Sequence, residues 1–233
     1  GKDRFKAGLK AVKLFKPDVL ILDDGFQHQK LDRDINLLLV DFKRPFGNGR
    51  ILPAGRLREP VKTGLKRADA VIATRCDENS DIEMLRSALP EDCEALPVFK
   101  SFHRPYIAEL ILRSGSQTDS AVDLSGLSGK KALLVSALAG NNFFFRSVKS
   151  SGVIIVDHLE FMDHYRYKES DIFKINQSAE AAGADIILTT KKDWVKLEGI
   201  PGLDPDIAVL DINVEFEEPD AFFSMIRDAF SLS

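Results

Sequence analysis

The stretch DVLILDDGFQH, Asp18 to His28, decides the reading of the fold. An apolar run, Val19 to Leu22, ends abruptly in two adjacent carboxylates, Asp23 and Asp24. Four aliphatic residues without polar alternation predict a buried strand covered on both faces, as in a parallel sheet. Open parallel sheets bind ligands beyond the carboxyl ends of their strands. A carboxylate pair delivered there is placed to hold Mg²⁺. The competing reading is a turn, because Asp24-Gly25 is also a hairpin dipeptide. The next apolar run, Ile35 to Val40, begins only after FQHQKLDRD, which is too long and too polar for a two-residue turn. The strand with a metal-binding end is therefore the favoured reading.

Outward from this stretch the chain alternates short helices and strands. Asp3 caps a predicted helix carrying Phe5, Leu9 and Val12 on one face and ended by Pro17. INLLLV ends in Asp41, and a long Gly- and Pro-rich loop runs from Phe42 to Pro60. Loops of this length without regular structure are usually functional or disordered, and the turns PFGNGR and LPAGRLREP favour function. A short helix over Val61–Arg67, a strand over Ala70–Thr74, a helix over Asp81–Leu89 and a strand over Ala95–Phe99 follow. Between Ser101 and Gly129 one alternating stretch gives way to small polar residues, which predicts a strand-like connector and a domain boundary. Alternation then resumes: KALLVSAL, a helix over Phe143–Lys149, VIIV, a helix over Glu169–Ala182, DIILTT, IAVLDI and a last helix over Pro219–Phe230. The expected division is 1–100, a ribbon-like connector over 101–129, and a C-terminal α/β domain over 130–233.

Composition narrows the function classes. The 233 residues are 44% apolar, ample for a core, and no run of about 18 apolar residues predicts a membrane-spanning helix. Gly1-Lys2-Asp3 lacks an initiator Met and a basic, apolar leader, so the start reads as a cut. Cys76 and Cys93 have no metal-like spacing and fit reduced thiols. The net charge of −4 hides a basic segment in which Lys43, Arg44, Arg50, Arg56, Arg58, Lys62, Lys66 and Arg67 surround one acid, Glu59. Such a segment attracts phosphates or anionic lipid, or is a plain solvated face. Nucleic acid is not expected, because Phe42 and Phe46 form no interleaved stacking platform.

A carboxylate pair after a strand suggests a nucleoside triphosphate enzyme, which needs a phosphate cradle of the form GxxxxGK(S/T). The nearest string, GLSGKK at Gly126 to Lys131, has its glycines too close together and precedes a strand. It is rejected. The sequence thus holds a candidate metal end of a phosphotransfer site without its phosphate end.

Four strings in series, DDGFQH, GNGRILPAGRLREP, FMDHYRY and TTKKDWVKL, resemble the tetraacyldisaccharide 4′-kinase family of lipid A biosynthesis across nearly the whole chain. The resemblance implies ATP- and Mg²⁺-dependent phosphorylation of the 4′-hydroxyl of tetraacyldisaccharide 1-phosphate. It places the protein peripherally at the cytoplasmic face of the bacterial inner membrane, against an anionic membrane surface. It also implies a P-loop-NTPase-like α/β sheet core joined by a β-ribbon to a smaller α/β domain. The family's N-terminal membrane helix, first strand, P-loop and GDEP segment would lie before Gly1. The expectation is therefore an N-terminally truncated kinase, inactive alone.

Carried over by motif, Asp23 and Asp24 resemble the acid pair that binds or orients Mg²⁺. Gln27 and His28 resemble positions that reach phosphates or the acceptor sugar, although His28 reads equally as a surface residue. Arg58 resembles a group that neutralises the transferring phosphoryl and binds substrate, and Glu59 a further metal-shell carboxylate. Glu59 also suits a plain helix start, an acid at a positive dipole end. His164 resembles the histidine that tunes the catalytic Asp of the segment before Gly1, and Tyr165 stands where relatives often have a second His. His103 and His158 read as surface or packing residues. Thr189, Thr190 and Asp193 read as a helix cap before a substrate contact. SALAGNN departs from the family's pattern at Ala137 and Asn141. Two rival functions stay open: a non-catalytic module binding anionic lipid through the basic loop, and another Mg²⁺-dependent phosphotransferase or phosphohydrolase on the same scaffold.

Overall fold

The computed structural model describes residues 3–114, 116–137 and 141–231. They form two compact units, Gly1–His103 with Val214–Ser233, and Arg104–Asn213.

The first unit opens with α1, Arg4–Phe15, whose N-terminus is closed by the Asp3 carboxylate accepting from the Lys6 N–H at 3.0 Å. It ends at Lys16, which takes a left-handed φ of 45° because Pro17 bars the helical conformation for the residue before it. No residue of α1 is buried. The buried strand expected over Val19–Leu22 is absent: the segment is irregular, and Ile21 is 90% exposed. A strand needs a neighbour to take up its backbone N–H and C=O groups. Among the described residues nothing pairs with this run, so Asp23-Asp24 forms a turn instead, with Asp24 at φ 47°. Gly25 closes it, since a Cβ there would lie 2.6 Å from Leu22 Cβ.

The sheet of this unit is parallel. β1, Leu37–Asp41, lies beside β2, Ala70–Cys76, in the register Leu37↔Ala70, and β2 lies beside the start of β3, Val98–Ile111, in the register Val71↔Val98. The two faces of β2 alternate as its pleat requires. Val71 and Ala73 pack against Leu65 of α2, Val61–Leu65, and Leu85 of α3, Ile82–Ser87. Ala70 and Ile72 pack against Phe99 and against Phe222 of the C-terminal helix α7, Pro219–Ser231. Phe222 stacks on Phe216 at 4.0 Å and meets Phe99 edge-on at 5.3 Å. A Lys100–Glu217 ion pair at 2.9 Å and the Glu217 N–H on Lys100 O fix the approach to this helix. The expected boundary at 130 therefore differs from the structure: residues 214–231 cluster with the first unit, because its sheet has a second apolar face to cover.

In the second unit the outer part of β3 pairs antiparallel with β4, Gln117–Asp123, from Tyr106↔Asp123 to Ile111↔Gln117. This ribbon occupies much of the expected connector but clusters with the second unit from Arg104 onward. The parallel strands β5, Lys131–Ser136, β6, Ile154–Glu160, β7, Ile186–Thr190, and β8, Asp206–Phe216, which belongs to this unit as far as Asn213, follow in the order β8-β7-β5-β6. Alternate residues of β5 feed two cores. Ala132 and Leu134 face Phe144 and Val148 of α4, Asn141–Ser150. Leu133 and Val135 face Ile172 and Ile175 of α5, Glu169–Ala182, and Trp194 and Leu197 of α6, Lys191–Leu197. Gly183 ends α5 at φ 61°, a left-handed cap that glycine takes without steric cost. Of the uncertain SALAGNN turn, Leu138, Ala139 and Gly140 lie outside the described residues.

Candidate functional site

The site is built in the first unit where the Asp23-Asp24 turn meets the end of the Phe42–Pro60 loop. Pro60, at φ −59°, starts α2 and fixes the direction in which Arg58 and Glu59 leave the loop. Arg58 Nη1 donates to both carboxylate oxygens of Asp24, at 3.0 and 3.1 Å, and to Gln27 Oε1 at 3.3 Å. Gln27 Nε2 donates in turn to Glu59 Oε1 at 3.4 Å. Arg67 closes the row with two parallel bonds to Glu59, Nη1 to Oε2 and Nη2 to Oε1, both 2.7 Å. The turn itself is held by Arg33, whose Nη1 donates to Gly25 O at 2.6 Å, and by Arg4 on Asp24 O at 3.1 Å.

The two ion pairs differ in kind. The Arg58 and Asp24 side chains are 57% and 65% exposed, so their pair is worth about 0–1 kcal/mol and exchanges readily with other partners. Those of Arg67 and Glu59 are 24% and 18% exposed, and the Arg67 guanidinium lies 5.2 Å from the centre of the Phe26 ring. The hydrogen bonds from Arg67 hold the Glu59 carboxyl below its ordinary pKa against a burial effect of opposite sign, and Glu59 raises Arg67.

Mg²⁺ takes oxygen ligands, commonly one or two carboxylates completed by water and phosphate oxygens. Asp23 is exposed, and among the described residues the Asp24 carboxylate is held by the exchangeable arginine alone, so this pair fits. Glu59 does not fit in this arrangement, because both its oxygens are committed to Arg67. No group of three or more His, Cys, Asp or Glu side chains gathers at metal-binding distance among the described residues. The expected trio Asp23, Asp24 and Glu59 is thus not assembled as a metal shell.

Asp24, Gln27, Arg58 and Glu59 lie together in one hydrogen-bonded row. His28 lies on the same turn, half-buried, with its main-chain N–H on Gly25 O at 2.9 Å. His164 belongs to the second unit, where its side chain is 81% exposed and Nε2 lies 3.6 Å from Asp163. Asp163 is also bound by Lys192 at 3.0 Å, which lowers its pKa. The rings of Phe161, Tyr165 and Tyr167, 4.8–5.4 Å apart, brace this turn. Thr190 and Asp193 act as a cap: Thr190 Oγ1 accepts from the Asp193 N–H, and the Asp193 carboxylate accepts from Thr190, Lys196 and the Ala137 N–H. His158 is a packing residue with polar contacts, bonded to Ser136 at 2.8 Å and Glu160 at 3.2 Å and stacked on Phe145.

Arg67, in sequence one member of the basic segment, joins the site through Glu59. The sequence carries only a coarse signal for it: Glu59 is the single acid among eight cations, which says that the carboxylate is paired but not with which of them.

The row borders a cleft of about 130 Å³ lined by Phe26, Leu39, Phe46, Arg58 and Glu59. Cofactor pockets run to roughly 300–1,000 Å³, so this cleft does not enclose a nucleotide by itself.

A parallel α/β sheet with a carboxylate–arginine row at a loop beside it defines an α/β protein of the P-loop-NTPase-like class. Residues 1–231 match the family model for tetraacyldisaccharide-1-P 4′-kinase (LpxK), and the chain belongs to that family. It is 37% identical over 235 residues to a tetraacyldisaccharide 4′-kinase of Desulfatibacillum aliphaticivorans, covering 100% of this chain and 62% of the relative. It is 40% identical over 197 residues to that of Geobacter metallireducens, covering 84% and 54%. The crystal structure of an "apo" form of LpxK from Aquifex aeolicus in complex with ATP superimposes with a TM-score of 0.67. The sequence identity there is 30%, over 99% of this chain and 63% of that one. The chain therefore spans between 54% and 63% of the length of these proteins.

Proposed function

We propose that the chain serves ATP- and Mg²⁺-dependent phosphoryl transfer to the 4′-hydroxyl of tetraacyldisaccharide 1-phosphate, at the cytoplasmic face of the bacterial inner membrane. The observation that carries this reading is the row Asp24–Arg58–Gln27–Glu59–Arg67 in a member of this family.

In such a transfer the 4′-hydroxyl oxygen bonds to the γ-phosphorus, the bond to the β–γ bridging oxygen breaks, ADP leaves, and the hydroxyl proton passes to a base. Mg²⁺, held by Asp23 and Asp24, would neutralise charge on the β- and γ-phosphate oxygens. Arg58 is poised to leave Asp24 for the transferring phosphoryl, since the exposed pair costs little to break. Gln27, bonded on both ends to Arg58 and Glu59, holds the arginine at the site during that exchange. Glu59, fixed by Arg67, anchors the row and keeps its negative charge. His164 is this chain's candidate for the path of the hydroxyl proton.

The test uses the gene product as it is made in its source, given ATP, Mg²⁺ and tetraacyldisaccharide 1-phosphate. Asp24→Ala is expected to lower the rate at least about 100-fold, the scale of losing one fixed electrostatic contact in a transfer site. Undiminished phosphorylation of the lipid by that variant would sink the assignment.

A further inference from the structure

The loop before the site has a shape set by its own hydrogen bonds. Asn48 Nδ2 donates to Ala54 O at 2.9 Å, and its Oδ1 accepts from the Arg50 N–H at 3.1 Å. The Leu52 N–H donates to Leu57 O at 2.9 Å, the Leu57 N–H to Arg50 O at 3.2 Å, and the Gly55 N–H to Ile51 O at 3.0 Å. A Cβ on Gly55 would lie 2.1 Å from Arg50 O, so only glycine closes the loop. Yet this fixed loop leaves Ile51 47% and Leu52 63% exposed. Neither packing nor fold explains a rigid loop that presents two aliphatic side chains to water.

Beside them lies an open groove of about 570 Å³ lined by Arg50, Ile51, Ala54 and Lys62. Pro60 and Val61 form a wall shared with the cleft at Arg58, so the groove adjoins the proposed site. Its charge is one-sided. Arg50 and Arg56 have no ion-pair partner among the described residues, and Lys62 shares the exposed Asp92 with Lys66, at 3.0 and 3.4 Å. The sole acid of the segment, Glu59, is taken by Arg67. A guanidinium and an ammonium flanking one groove match a dianionic phosphate monoester, and the adjoining aliphatic pair matches hydrocarbon.

We propose that this groove is a subsite for the phosphate monoester of a lipid presented in a bilayer. Arg50 and Lys62 hold the phosphate, and Ile51 and Leu52 lie against its acyl chains. The inference deepens the kinase reading and rests on it: the groove takes the acceptor's remote phosphate while the reacting hydroxyl lies toward Arg58.

The test measures binding of the 233-residue chain to phosphatidylcholine vesicles doped with phosphatidic acid, a lipid phosphomonoester. Phosphatidylserine vesicles of matched surface charge serve as the control, without ATP. Binding to phosphatidic acid is expected to be at least about tenfold tighter than to phosphatidylserine. Arg50→Gln with Lys62→Gln is expected to abolish that difference, and Ile51→Ser with Leu52→Ser to weaken binding about tenfold, all at unchanged melting temperature. Equal binding to both vesicles, or a preference that survives Arg50→Gln with Lys62→Gln, would overturn the proposal. The two readings fail separately. Lipid phosphorylation that persists without phosphomonoester preference strikes only the subsite, and intact preference without phosphorylation strikes only the kinase.

Discussion

At the scale of residues, the site turns on the contrast between a fixed arginine and a free one. Arg67 spends both terminal nitrogens on Glu59, whereas Arg58 offers one nitrogen to an exposed carboxylate. Arg67→Ala is expected to cost about 2 kcal/mol in urea denaturation at neutral pH, because it strands a mostly buried carboxylate. Arg67→Lys is expected to fall between, keeping the charge but losing the two-pronged geometry. The pH dependence has a definite sign. Glu59 has a folded pKa below its ordinary 4.5, so the stabilisation is complete above 4.5 and is lost as pH falls through the depressed value. The gap between wild type and Arg67→Ala should therefore be constant at neutral pH and close on acidification below 4.5. A gap independent of pH down to full protonation would assign the cost of the variant to packing on Phe26 alone. The pairing of residues 59 and 67 was not legible in the sequence, because a separation of eight across a short helix matches no standard helical contact. Asp24, Gln27, Arg58 and Glu59 were legible only through their motifs; spacing alone does not bring Gln27 to Arg58.

At the scale of elements, local signals served where an element carries its own stop and start. Glu169–Ala182 was readable because Gly183 caps it, and α1 because Asp3 and Pro17 bracket it. Val19–Leu22 failed for the opposite reason. An apolar run says what a strand would bury, but not whether a neighbour is there to pair with it. The return of the C-terminal helix was likewise invisible, since nothing in PDAFFSMIRDAF names the sheet it covers. Its anchoring can be measured. Phe222 is 7% exposed and meets three rings, Phe99, Phe216 and Phe223. Phe222→Ala should cost about 3–5 kcal/mol in the first unit, the usual loss for a buried aromatic that leaves a cavity. Hydrogen exchange would locate the effect: β2 amides, Ala70 to Ala73, should lose protection, while β5 and β7 of the second unit hold theirs. Equal loss in both units would mean that α7 does not belong to the first unit alone.

At the scale of the whole molecule, the two units are finished to different degrees. The second has its central strands buried on both faces by α4, α5 and α6. The first has β1 paired with β2 alone among the described residues, with Leu39 64% exposed on it. The chain before β1 exposes Phe5, Leu9, Val12, Phe15, Val19, Leu20 and Ile21. Apolar surface gathered in one short segment and a strand paired on one side alone among the described residues both favour association, because the side chains and the unpaired edge groups gain by meeting another surface. The 233-residue chain is therefore expected to elute as larger species as its concentration rises. Phe15→Lys with Ile21→Lys should return it to monomer while changing unfolding free energy by less than about 0.5 kcal/mol per site, since neither side chain packs on the core. The choice of these two positions makes the test sharp. They are 77% and 90% exposed, so a large loss of stability on substitution would show that the segment folds against the first unit in solution. Monomeric elution of the unsubstituted chain at all concentrations would point the same way, to apolar side chains already covered by the molecule itself.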